Sequence, residues 1–172
     1  MKKLLPFALL LAVPAQAQDA QVYYASDTWP VHAAGHTCTM MQAASSADGR
    51  LSVSYDGAEV TLATTNTVES ALPDSGKVSF AIVFLDNEES DLEFDDGWGS
   101  REFTYARDGA DYRFSTRFAG DNNVRQILAD LANSKTIGLL QGGKAVMAYE
   151  LGNVGGSIAR LRECAARSIA AN

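Results

Sequence analysis

The side chains best suited to chemistry crowd into residues 29–41. That stretch holds both histidines, His32 and His36, together with Cys38, Met40 and Met41. Imidazole, thiolate and thioether are the ligands that zinc and copper(I) favour, so a soft-metal site on His32, His36 and Met40 is one use of the stretch. The spacing His-x3-His-x-Cys is not an established ligand signature. A second use competes for the sulfur. The chain has two cysteines, Cys38 and Cys164, and an even count in an exported protein reads first as a disulfide. Such a bond closes a loop of about 126 residues and in the chain-entropy picture stabilises by roughly 4–5 kcal/mol, less any strain. The disulfide is the expected use, and no metal or cofactor is favoured.

The second concentration of reactive groups is acidic. Residues 86–97 are the most acidic part of the chain. Counting from Asp91, acids fall at the first, third and fifth positions (Asp91, Glu93, Asp95), and Glu102 falls at the twelfth, which partly imitates a calcium loop. The sixth position needs glycine for its sharp turn and holds Asp96 instead. Trp98, between Gly97 and Gly99, adds a large aromatic ring beside the charges. An aromatic anchor rimmed by Asp91, Glu93, Asp95 and Asp96 suits a protein interface, and the partner would be a basic protein of the periplasm. An acidic inhibitor of a basic cell-wall hydrolase fits those physics. Trp98 could equally fold back onto the sheet.

Catalysis has no such concentration. There is no Gly-x-Ser-x-Gly elbow, no His-Glu-x-x-His and no Walker loop, so no catalytic residue is assigned. Gly152, Gly155, Gly156 and Ser157 precede a helix and could cradle an anion, but without a P-loop lysine they read as a capping turn. The expected function is binding and not catalysis, with a periplasmic copper- or zinc-binding protein as the alternative.

The chain that must position these groups has 172 residues and a net charge of −7. It opens with Met1-Lys2-Lys3, an apolar run to Val13 and Pro14-Ala15-Gln16-Ala17. A short positive region, an apolar core and a small-x-small end form a secretory signal peptide, and a run of about ten residues is too short to span a bilayer. Residues 1–17 are thus expected to be removed, leaving one domain over residues 18–172 in the periplasm or outside the cell. The leader carries two lysines and no acid, so the mature chain is more acidic still. That charge disfavours nucleic acid and anionic membrane surfaces.

Period-two patterning dominates the rest. Leu51, Val53 and Tyr55 alternate with Ser52 and Ser54, and Asp56-Gly57 joins this run to Val60 and Leu62, a hairpin signature. Residues 77–85 are apolar on nearly both faces, as for a central strand. Hairpins follow around Asp108-Gly109 and Gly142-Gly143. Val124, Ile127, Leu128 and Leu131 recur at helical spacing behind Asp121 as a cap. Ile158, Leu161, Cys164, Ala165 and Ile169 form a second apolar stripe behind Ser157 as a cap. The class is α+β: a mainly antiparallel sheet of about seven to nine hairpin-connected strands, with two late helices packed on it.

A cysteine-bearing strand (Thr37-Cys38-Thr39-Met40) behind a leader, a strand-rich middle and a closing hairpin into Leu151-Gly152-Asn153-Val154-Gly155-Gly156-Ser157-Ile158 and a short helix form a recognisable layout. It resembles the invasion-associated locus B proteins, small exported proteins of alphaproteobacteria. The resemblance implies a periplasmic, non-enzymatic, β-rich domain and carries over no functional residues.

Overall fold

The computed structural model describes residues 20–44, 49–66, 72–85 and 97–170. Among these, alternation of apolar and polar side chains yields ten strands: β1 (Gln21–Tyr24), β2 (Val31–Ala34), β3 (Thr37–Met41), β4 (Arg50–Tyr55), β5 (Glu59–Asn66), β6 (Ser75–Leu85), β7 (Ser100–Asp108), β8 (Asp111–Ala119), β9 (Thr136–Gln141) and β10 (Lys144–Glu150). All pair antiparallel in one sheet of order β1-β2-β3-β4-β5-β8-β7-β6-β9-β10. The mainly antiparallel architecture with two late helices is as expected. The extra strand is β2, which hydrophobic alternation does not mark and which exists through its pairing with β3.

The sheet is strongly curled. Tyr149 on the edge strand β10 hydrogen-bonds through its hydroxyl to Thr64 on the central strand β5, and the contact is buried. Two side chains then draw the far side toward the end of β10. The Trp29 indole N–H donates to the Leu151 carbonyl at 2.9 Å, and the Gln42 amide donates to the Glu150 carbonyl at 2.9 Å. Gln42 also accepts from the Leu51 N–H at 3.1 Å, so this buried amide serves two strands.

The concave face is filled by aromatics and by helices α1 (Asp121–Asn133) and α2 (Gly155–Ala170). Helix α1 buries Val124, Ile127, Leu128 and Leu131 against β5 and β8; α2 packs on β1 to β4, and the helices touch each other. The cap of α1 is Gly120, with no side-chain hydrogen bond, and Asp121 is the first helical residue, not the cap. A glycine cap costs only about a few tenths of a kcal/mol against the best caps, whereas burying each large apolar side chain contributes roughly 1.5–3 kcal/mol. Packing therefore decides that this helix forms.

Helix α2 begins at Gly155, so Ser157 lies buried inside it and is not its cap. Ile169, expected inward, is on the same stripe but 54 % exposed in the last turn, where its side chain reaches the β4–β5 turn at Gly57. Strand β6 is covered on both faces only toward its C-terminal end, where Ile82 and Val83 are buried; Lys77 and Ser79 are exposed. Among the described residues no helix is long and apolar enough to cross a membrane.

Candidate functional site

The register of β2 and β3 separates the group of residues 29–41. Cys38 and Met40 alternate onto the concave face and are fully buried; Met40 lies opposite Val31. His32 pairs with Thr39, whose hydroxyl bonds Ser54 at 2.8 Å on the opposite, outer face. His36 sits in the β2–β3 turn just after Gly35. Cys38 faces the buried stripe of α2 and forms a disulfide with Cys164 across a Cα–Cα distance of 6.1 Å, inside the ordinary range for such a bond. The sulfur is therefore committed, and the sheet holds His32 and Met40 on opposite faces. Among the described residues no group of three or more His, Cys, Asp or Glu is placed to hold a metal ion.

Trp98 folds back toward the concave side. Its indole N–H donates to the Asp130 carboxylate of α1 at 2.8 Å, and its ring meets Phe118 edge-on at 4.9 Å. The Arg101 guanidinium covers both rings, at 5.1 and 4.4 Å. Glu102, the twelfth position of the calcium-like pattern, is paired with Lys77 at 2.8 Å. Asp91, Glu93, Asp95 and Asp96 lie outside the described residues.

A different place gathers polar groups. An open, mainly polar cleft of about 340 Å³ lies between the β4–β5 turn and the two helices, lined by Tyr55, Ala58, Asp121, Arg125 and Arg162, with the buried Val124 and Leu128 beneath. The turn is fixed locally. Asp56 accepts from the backbone N–H groups of Ala58 and Glu59 at 2.9 and 2.8 Å. Those donors, Glu59 first, hold its carboxyl below the usual carboxylate range. Gly57 has φ +97°, and a Cβ there would collide with Ile169. The Tyr55 hydroxyl donates to the Gly57 carbonyl at 3.0 Å, which ties the aromatic ring to the rim.

No family model, curated protein or solved structure matches the chain. The chemistry of the cleft is thus read from its own side chains. Arg125 is held by Asn122 at 2.5 Å, one turn earlier on the same helix. Lys77, Arg107, Arg117, Arg160 and Arg167 all have carboxylate partners. Among the described residues Arg125 and Arg162, which line the cleft, form no salt bridge, and neither do Arg50, Arg101, Arg113, Lys135 and Lys144. A second concavity of about 530 Å³ lies on the outer face around Ser79, Ser100 and Leu140, and no charged side chain lines it.

Sequence reasoning missed the cleft because its parts come from distant elements. One signal was present: Asp121 and Arg125 flank Val124 and Leu128, so the apolar stripe of α1 runs into a charged border.

Proposed function

We propose that this is an exported, disulfide-tied periplasmic domain that works by binding a ligand in the cleft between the β4–β5 turn, α1 and α2. The leader-like residues 1–17 and the buried Cys38–Cys164 bond support export, because such bonds persist in oxidising compartments. The observation that carries binding is the cleft itself. It has the volume of a small-molecule site and brings Asp121 and Arg125 of α1 and Arg162 of α2 to one mainly polar opening.

The test has two arms. Alkaline phosphatase fused behind residues 1–20 is expected to be active, since that enzyme matures only outside the reducing cytoplasm; an inactive fusion rejects export. A thermal-shift screen of small metabolites is expected to give stabilising compounds whose effect is lost in Ala58→Trp, which fills the cleft. Compounds that stabilise both proteins equally, or none at all, reject the cleft as the site.

A further inference from the structure

Strand β6 is only half paired along one side, and we infer that the open half is a slot to which a partner protein adds an extended strand. Along β7 the pairing is long, with Ser75 to Ala81 facing Ala106 to Ser100. Along β9 it is short. It runs from Leu85 back to Ala81, where β9 ends and the chain turns away through Gly142 and Gly143 into β10. Among the described residues nothing pairs with the β9 side of residues 75–80.

Alternation identifies the groups left open. The Ile82 N–H donates to the Gly99 carbonyl at 3.3 Å, and its carbonyl accepts from the Trp98 N–H at 3.0 Å. The Asp74 carbonyl accepts from the Arg107 N–H at 2.7 Å. Even-numbered residues here thus turn their backbone groups toward β7. In an antiparallel ladder the residues between them turn the other way, so Ser75, Lys77 and Ser79 present N–H and C=O to the missing neighbour. Bare strand edges are commonly guarded by a lysine. Lys77 leans away from this one, onto Glu102 of β7 at 2.8 Å.

There is also room beside the open groups. The outer-face concavity of about 530 Å³ lies where β9 stops, lined by Ser79, Ala81, Ser100 and the end of β9 with its turn. No charged side chain lines it, so an apolar side chain of the added strand fits there. The rim charges choose the occupant further. Lys77 pairs with Glu102 and Arg107 with Asp74, at 2.8 and 2.9 Å. A charge inside the slot would be desolvated without a counter-charge of its own, so the inserted residues are uncharged. Outside the slot the net charge of −7 favours cations. The partner is therefore a protein with an exposed, uncharged extended segment of about five residues, flanked by Lys or Arg. In strand addition the main chain supplies affinity and alternate side chains supply selectivity. The slot shares no lining residue with the cleft of α1 and α2, and the two readings stand or fall separately.

The probe is an end-capped peptide of alternating threonine and valine between terminal lysines, added to the oxidised mature protein and followed by NMR. It is expected to shift the Lys77, Ser79 and Ala81 signals saturably. Hydrogen exchange should slow at the Lys77 and Ser79 amides and stay unchanged along Gln21–Tyr24, the outer edge strand. N-methylation of every second peptide amide should weaken binding at least about tenfold in one phase and little in the other, because only one set of amides faces β6. Terminal glutamates in place of the lysines should weaken binding, most strongly at low salt. Ser79→Pro removes an outward N–H and spares the ladder to β7, so it should lose peptide binding with little change in melting temperature.

Equal binding of the two methylated forms, protection along Gln21–Tyr24 in place of Lys77 and Ser79, or no shift at all would overturn the slot. Tighter binding of the glutamate-flanked peptide would overturn the basic partner. If the Lys77 and Ser79 amides are protected without peptide and exchange faster on dilution, a second copy of the chain fills the slot and the partner reading fails. Should Ser79→Pro unfold, the contrast between the methylated peptides on the unaltered protein still decides.

Discussion

The indole N–H of Trp29 donates to the backbone carbonyl of Leu151 at 2.9 Å, in a buried contact between residues 122 apart in the chain. Trp29 precedes β2 near one edge of the sheet, and Leu151 follows β10 at the other. One side chain thus helps set how far ten strands curl. Trp29→Phe keeps most of the buried ring and removes the donor, leaving the Leu151 carbonyl unsatisfied. The expected loss is about 1–3 kcal/mol, read as a fall in the urea midpoint with an unchanged slope. An unchanged midpoint would show that the curl does not depend on this bond.

Cys164→Ser releases the link between β3 and α2. With the partners 126 positions apart, the expected cost is about 2–5 kcal/mol. Dithiothreitol should lower the melting temperature of the native protein toward that of the variant and leave the variant itself unaffected.

Trp98 separates two roles cleanly. Because its N–H is bound to Asp130 and its ring abuts Phe118, Trp98→Ala should destabilise the fold by about 2–4 kcal/mol. An interface anchor free of the fold would instead leave the melting temperature untouched and abolish partner capture.

Two glycines in the left-handed region should differ sharply. At Gly49, φ is +97° and an added Cβ would overlap the Thr65 carbonyl; at Gly109, φ is +66° with open space around it. Gly109→Ala should cost about 1 kcal/mol from conformation alone. Gly49→Ala must also displace backbone between β4 and β5 and should cost several times as much, measured as unfolding free energy.

Asp56 gives a pH dependence. Backbone donors from Glu59 and Ala58 lower its pKa in the folded state, so its ionised form stabilises the fold at pH values above the unfolded carboxyl value, about 3.9. That stabilisation is lost as pH falls through the lower folded value. Asp56→Ala should therefore cost about 0.5–1 kcal/mol at pH 7, a modest figure because the carboxylate is exposed. The gap between variant and native protein should close as urea titrations move from pH 4 toward pH 2.

Where local pattern and tertiary environment agree, the sequence was readable. Leu51, Val53 and the Asp56-Gly57 turn announce β4 and β5, and Val124, Ile127, Leu128 and Leu131 announce α1, because one face of each is buried. The cysteine pair was readable by counting. Strand β2 was not, since Val31-His32-Ala33-Ala34 owes its extension to a partner strand and not to its own alternation. The curl was hidden as well: it rests on Gln42 and Trp29 reaching carbonyls 108 and 122 residues away. So was the cleft, where Tyr55, Arg125 and Arg162 each look like ordinary members of their own elements. The Asp91–Asp96 charges, which stood out in the sequence, lie beyond the described residues.

The Cys38–Cys164 bond also fixes how the molecule answers a pull on its ends. Tension enters through β1 and β2 on one side and the last residues of α2 on the other, then passes straight through the two sulfurs. Everything from β4 to β10 hangs in the shielded loop between them. An oxidised molecule held in an optical trap can lengthen only by its short outer arms. Reduction would expose the loop to the load and release roughly 400 Å of contour at about 3.3–3.6 Å per residue, so one covalent contact sets how far the chain can be drawn out.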